Sequence, residues 1–374
     1  MPRYSVEETQ VGEERVVFLR DSDTLLHAGI CPQRGAELCS LSSRGVELLH
    51  RALDFAPAGE GGWYGHGQLL FPAVGRQKGG KYAFPAGSDL RPMPLHGFAS
   101  AARFAIARSG ADGEGGAFVE CMLESGFGAH EHLAASEFPF AFNLTITFRV
   151  RDGVLSCGHR VANPVADRDA LLPFSIGNHI SLAFPFEPSE APTATWSAGR
   201  LLGTASHAHA LTDGSLLSGD VDARPELQSA RGMALTAPGA TNGVLGFAGN
   251  GDTDCASRLC SLVLVQPGSF SVEVAHAVEA PASAAGDPAP ACDWRAVSAN
   301  RFFVLWGEAP KATGERGFLC PEPWVGGPDS LNTGRGLMVL RGGEECTWTF
   351  SVGIGKGEQS NFPRRGRSDP REPD

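Results

Sequence analysis

The stretch from Phe140 to Asn163, FAFNLTITFRVRDGVLSCGHRVAN, constrains this chain most. Phe140, Phe142, Leu144, Ile146 and Phe148 recur at every second position, with Asn143, Thr145, Thr147 and Arg149 between them. In an extended strand successive side chains point to opposite faces, so this run has one apolar and one polar face. A helix would scatter the same residues around its axis. Asp152-Gly153 supplies the positive φ that a tight hairpin turn requires. A two-faced hairpin of this kind must bury its apolar face against a second layer.

The rest of the chain repeats the theme. Val16 to Leu19, Thr24 to Cys31 and Phe118 to Leu123 are short apolar runs, as are SFSVEVAH, RFFVLWG and GFLCPEPW. GAELCSLSS and GVELLH form a hairpin around Ser43-Arg44-Gly45, and GLMVL and CTWTFSVGI form another around RGGEE. No amphipathic helix longer than about ten residues stands out, and no fixed-period repeat marks propeller blades. Gly and Pro together make 74 of 374 residues, beside 22 Phe, which suits many short strands joined by turns. The expectation is an all-β chain, a large antiparallel β-sandwich rather than a barrel. Residues 1–356 read as a single domain with long loops in 188–291. Within them Ala280 to Ala291 is a Pro-rich loop or linker, and 357–374 is a polar, disordered tail.

Composition narrows the function. With 31 Lys+Arg against 42 Asp+Glu the net charge is −11, which argues against a nucleic-acid partner. No window reaches the roughly 18–20 apolar residues of a membrane helix, and the N-terminus lacks the apolar core of a secretory signal. A soluble cytoplasmic protein with no membrane partner is expected. Nine scattered cysteines without a CxxC read as reduced, buried thiols. His130/His132 and His207/His209 have metal-like spacing but no third ligand in view. GNGD (249–252) and GIGKG (353–357) lack the strand–loop–helix setting of a phosphate loop, and there is no GxSxG elbow.

Four segments set polar residues among Gly and Pro: LLFPAVGRQKGGKY (69–82), MPLHGFAS (93–100), LPFSIGNHISLAF (172–184) and FLCPEPWVGGPDSLN (318–332). Taken singly, His96 and His179 are more simply core histidines, and Arg76 a surface ion-pair partner. Glu322, between two prolines and beside Trp324, is costly to bury unpaired. Trp63, Trp306, Trp324 and Trp348 suit either a core or a stacking surface. Together, two histidines, a glutamate, an arginine and tryptophans suit a sugar, whose hydroxyls take charged hydrogen bonds and whose C–H face meets an aromatic ring. An imidazole and a carboxylate form an acid–base pair at neutral pH.

These motifs, in this order, resemble the aldose 1-epimerase (galactose mutarotase-like) superfamily, more its broad bacterial sugar-epimerase branch than galactose mutarotases proper. The strings that carry the resemblance are GAELCSL, LLFPAVGRQKGGKY, MPLHGFA, FPFAFNLTITFRV, the VAN at 161–163, LPFSIGNH and CPEPWVGGPDSLNTG with LRGGEECTWTFSV. They run from about residue 35 to residue 352. The resemblance implies an antiparallel β-sandwich with a sugar cleft, and an isomerase that interconverts α and β anomers of a hexose without a cofactor or metal. It makes Glu322 the general base, His179 the general acid, and His96 a hydrogen-bonding partner near the anomeric centre. It makes Arg76, Asn178, Trp306 and Trp324 substrate-binding residues. The second histidine is followed by Ile180-Ser181, where relatives often carry a proline or an aromatic. A further hydroxyl-binding acid of the family is not assigned among Asp220, Asp252 and Asp254. Two alternatives stay open. One is a hexose-6-phosphate 1-epimerase, for which Arg76, Lys78, Lys81 and Arg91 would hold the phosphate. The other is a non-catalytic carbohydrate-binding module.

Overall fold

The computed structural model describes residues 2–56, 63, 65–113, 115–124, 137–187, 189–237, 239–246, 259–281, 290–311 and 315–356. The constraining hairpin forms as its pattern requires. Asn143–Arg151 pairs antiparallel with Val154–Ala162, and the turn holds Asp152 and Gly153 at φ 49° and 75°. Leu144, Ile146, Phe148 and Val150 are buried at alternate positions. Thr145 is buried too, so the polar face is partly covered. Phe140 and Phe142 precede the strand. Phe142 packs on Phe71, with ring centroids 5.2 Å apart. Each large apolar side chain buried this way contributes about 1.5–3 kcal/mol.

Among the described residues the chain forms an antiparallel sheet of 13 strands and a second of nine, with two small two-stranded sheets. One apolar core draws on both large sheets, with Leu19, Ile30 and Leu38 from the first and Val119, Ile146 and Leu155 from the second. Three short helices, Pro192–Ala198, Trp294–Ala299 and Ser330–Thr333, lie among the strands. None is long and apolar enough to cross a membrane. Eight of the nine cysteines are described; all are free, and Cys292 is the only one not fully buried.

One expected hairpin does not form. Met338–Arg341 pairs with Leu171–Phe174, whereas Glu345–Lys356 lies between Phe270–Glu279 and Val154–Ala162 in the nine-stranded sheet. Asn163 separates them. Its side-chain amide donates to the carbonyls of Leu340 (3.1 Å) and Ala170 (3.0 Å). Its backbone exchanges hydrogen bonds with Gly343 and Glu344. The connection is thereby pinned to a third segment, and its two flanking strands diverge.

The 188–291 stretch supplies strands as well as loops. His207–Leu211, Leu217–Ala223 and Asn242–Gly246 extend the larger sheet, and Arg200–Gly203, Cys260–Val265 and Phe270–Glu279 extend the smaller. His130, His132, the GNGD segment, Asp252, Asp254, Cys255, most of 280–291 and the 357–374 tail lie outside the described residues.

Candidate active site

Neighbouring strands in the middle of the larger sheet are Gly67–Leu70, Ile176–Ile180, Phe318–Val325, Arg301–Glu308 and Asn242–Gly246. Strand alternation decides which of their side chains meet. On Phe318–Val325, residues 320, 322 and 324 share one face. Glu322 and Trp324 line a cavity of about 370 Å³. His179 lines it from the adjacent strand, directly opposite Gln68, which lines it too. Gly177 sits opposite Trp324. A Cβ on Gly177 would come within 2.7 Å of the indole, so only a bare backbone lets the ring lie there.

His96 arrives from a loop held by backbone contact. The amides of Phe98 and Ala99 both donate to the Phe71 carbonyl, at 2.9 and 3.1 Å. Gly97 has φ 75°, and a Cβ there would lie 2.2 Å from the same carbonyl oxygen. His96 itself has φ 65°, a conformation that costs a non-glycine residue of order 1 kcal/mol. Its backbone N–H donates to the Gly75 carbonyl, and the Gly75 N–H donates to His96 Nδ1, both at 3.2 Å. A ring nitrogen that accepts carries no proton, so neutral His96 presents Nε2–H. Its ring centroid is 5.5 Å from that of His179 and 5.7 Å from that of Trp324.

The central contact is His179 Nε2 to Glu322 Oε1, at 3.4 Å. Glu322 Oε2 accepts the indole N–H of Trp324 at 3.2 Å. Burial pushes the Glu322 carboxyl well above the usual carboxylate range, and the Trp324 hydrogen bond opposes this only in part. Burial pushes His179 down to about 4. It also holds His96 well below an ordinary histidine, with the nearby charges of His179 and Arg76 adding to the effect. Both members of the pair are thus pushed toward their uncharged forms.

Trp306, also expected at the site, lines the cavity 5.6 Å from His179, centroid to centroid, and 4.6 Å from Trp63. Arg76 is exposed at the cavity wall and makes no side-chain hydrogen bond or ion pair with a described residue. Asn178 is not in this group. One position away from His179, it faces the core opposite Leu69, and its amide donates to the Gly67 carbonyl at 3.1 Å. Adjacent strand residues cannot share a face. Asp220 is exposed on Leu217–Ala223 and does not line the cavity. Among the cavity's described lining, Glu322 is the sole carboxylate.

Gln68, Asn242 and Ser215 are lining residues that the sequence reading did not single out. Ser181 lies behind the cavity wall, outside its lining. Fully buried, its hydroxyl donates to the His179 carbonyl (3.1 Å) and accepts from Trp63 Nε1 (3.3 Å) and Cys320 Sγ (3.2 Å). The residue that departs from the usual motif thus ties the histidine strand to the wall.

Residues 24–200 match the family model described as aldose 1-epimerase. Over nearly its whole length the chain also superposes on solved structures. A galactose mutarotase-like protein from Clostridium acetobutylicum is 17% identical with a TM-score of 0.68, covering 95% of this chain and 99% of that one. A galactose mutarotase related enzyme from Lactobacillus acidophilus is 18% identical with a TM-score of 0.64, covering 94% and 98%. Galactose 1-epimerase from Lactobacillus acidophilus NCFM is 13% identical with a TM-score of 0.63, covering 96% and 100%. The resemblance to aldose 1-epimerases stands, and the fold is galactose mutarotase-like. At these identities the structural likeness is one of fold. The family match carries the broader class, an epimerase-type isomerase of carbohydrate metabolism. Comparison with curated protein sequences gave no significant match.

Proposed function

We propose that this chain is an aldose 1-epimerase that opens and recloses a hexose ring by acid–base catalysis. The observation that carries the reading is the buried 3.4 Å contact between His179 and Glu322 on a cavity wall that His96 and three tryptophans, Trp63, Trp306 and Trp324, also line. The pair must hold one proton, since two leave no base and none leaves no acid. Burial favours the uncharged arrangement, with the resting proton on Glu322. Moving that proton across the contact makes Glu322 the base and His179 the acid. Glu322 then takes the proton of the anomeric hydroxyl while His179 protonates the ring oxygen, and the C1–O5 bond breaks to the open aldehyde. Rotation about C1–C2 and reclosure give the other anomer, with the two roles exchanged. His96 Nε2–H is free to hydrogen-bond a substrate oxygen, and the faces of Trp324 and Trp306 suit the sugar C–H surface. A cytoplasmic setting belongs to the same proposal. The test is polarimetric relaxation of freshly dissolved α-glucose, α-galactose and a wider aldose panel. Relaxation faster than buffer supports the reading; buffer rates throughout the panel overturn it.

A second reading keeps the chemistry and changes the substrate. A neighbouring cavity of about 420 Å³ shares Arg76 and Leu95 with the first and is lined by Lys78, Gly79 and Gly80. It contains no carboxylate among its described lining, so a hexose with a phosphate on its far end would meet two cations there. Lys81 and Arg91 do not line it. Glucose 6-phosphate relaxing faster than glucose would favour this substrate. A purely carbohydrate-binding role would leave the acid–base pair without a purpose, and sugar binding with no faster relaxation is its signature.

A further inference from the structure

Acid–base ring opening uses an imidazole and a carboxylate but no thiol, yet Cys320 stands beside both. Cys320 and Glu322 occupy alternate positions of Phe318–Val325 and leave the same face. A ring nitrogen of His179, Cys320 Sγ and a Glu322 carboxylate oxygen all lie within 4.8 Å of one another. All three side chains are buried. The thiol's one side-chain hydrogen bond is to Ser181 Oγ.

We propose that His179, Cys320 and Glu322 form an inhibitory site for a thiophilic divalent cation such as Zn²⁺. Zinc takes imidazole nitrogen at about 2.0–2.1 Å and thiolate sulfur at about 2.3 Å in tetrahedral geometry, which spaces its ligand atoms roughly 3.3–3.8 Å apart. The 3.4 Å separation of His179 Nε2 and Glu322 Oε1 already falls in that range, and the third atom needs only a side-chain adjustment. Thiolate with imidazole selects zinc or cadmium over the hard ions magnesium and calcium. One thiolate and one carboxylate neutralise a divalent ion, so the loaded site carries no net charge into a buried setting. The ion reaches it from the cavity that His179 and Glu322 line, and a water on the cavity side completes four-coordination. On binding, the S–H bond of Cys320 breaks and the thiolate sulfur bonds the ion. That proton and the one shared by His179 and Glu322 both leave to solvent. Affinity therefore rises with pH, and the acid–base pair is taken out of use.

Metal binding here stands on the ligand geometry alone; only the inhibition rests on the epimerase reading. The experiment loads the full chain, stripped with a chelator, with Co²⁺ as a spectroscopic stand-in for Zn²⁺. The expected result is one bound ion with a thiolate-to-cobalt charge-transfer band, displaced by Zn²⁺. Cys320→Ser and Cys320→Ala lose the band, and the pair of variants guards against one that mispacks. In the anomer assay Zn²⁺ inhibits the parent and a chelator restores it, while both variants keep basal activity and lose zinc sensitivity. Absence of the band, or a band and zinc affinity retained in folded Cys320 variants, overturns the site. A cysteine-dependent band with undiminished anomer exchange overturns the inhibitory role. A cysteine-dependent band in a protein with no anomer exchange supports the metal site and overturns the epimerase reading alone.

Discussion

Replacing Glu322 with Gln separates the cost of burying this carboxyl from its use. Glutamine keeps the size of the side chain. It can still accept the Trp324 N–H, and its amide can donate to His179. What it removes is a proton equilibrium. In the unfolded chain Glu322 ionises near its ordinary value, about 4.3. In the folded chain burial holds it protonated to well above that. A group whose folded pKa is raised is fully accommodated below the unfolded value, and stability is lost as pH climbs toward the folded one. Each unit of elevation corresponds to about 1.4 kcal/mol at a pH above both values. Glu322→Gln is therefore expected to match the parent near pH 4 and to be the more stable of the two at pH 7, the gap opening as pH rises between them. Its anomer exchange is expected to fall by about 10²–10⁴-fold, the usual contribution of a general acid or base. Urea unfolding at several pH values reads the first quantity and polarimetry the second. A variant less stable than the parent at pH 7, or a stability difference independent of pH, would refute the reasoning. The first result would mean that the carboxylate is charged and well paired in the folded protein, and the second that folding leaves its proton equilibrium unchanged.

Three further outcomes follow from the same geometry. With His179 pushed down to about 4, kcat/KM stays level from neutral pH to roughly pH 5 and falls only near pH 4, where the imidazole takes its own proton and the pair loses its base; an acid limb near 6.5, the ordinary histidine value, would contradict this. Asn178→Ala loses one buried hydrogen bond, worth about 1 kcal/mol, and leaves kcat/KM close to the parent, because the side chain faces the core; a large loss of kcat in a folded variant would place Asn178 in the site after all. Gly97→Ala forces a Cβ against the Phe71 carbonyl and shifts His96, so kcat/KM drops by about 10²-fold, the scale of a 1 Å misplacement, with a lowered melting temperature; unchanged kinetics would remove His96 from the proposed machinery.

The parts of the fold legible in sequence were those set by local periodicity. Alternation from Phe142 to Val150 and the Asp152-Gly153 turn defined the central hairpin with no reference to the rest of the chain. The pairing of Met338–Arg341 was not legible. Both strands around RGGEE look like hairpin partners, and the choice between them is made by Asn163, almost 180 residues earlier. His96, His179, Glu322, Arg76, Trp306 and Trp324 converge on one cavity wall; a Gly/Pro-rich motif marked each of them except Trp306, which stood out only as an aromatic in the apolar RFFVLWG run. Gln68 carried a weaker signal, a lone polar residue in the apolar GQLLFP run. Asn242 and Ser215 carried none, because nothing local tells which strand end or turn will face a cavity. Asn178 shows the reverse failure. The period-two rule that located the hairpin also separates Asn178 from His179, and applied there it excludes one of them from the cleft. The same rule sets Cys320 on the face of Glu322.

The central claim is that His179 and Glu322 act as one unit on one anomeric centre. The measurement that tests it most directly is a double-mutant cycle on the rate of anomer exchange, with the parent, His179→Ala, Glu322→Gln and the double variant. The account predicts a parent faster than buffer, two single variants each impaired by about 10²-fold or more, and a double variant no worse than the slower single one. Losses that simply multiply, or singles that keep the parent rate, would contradict it.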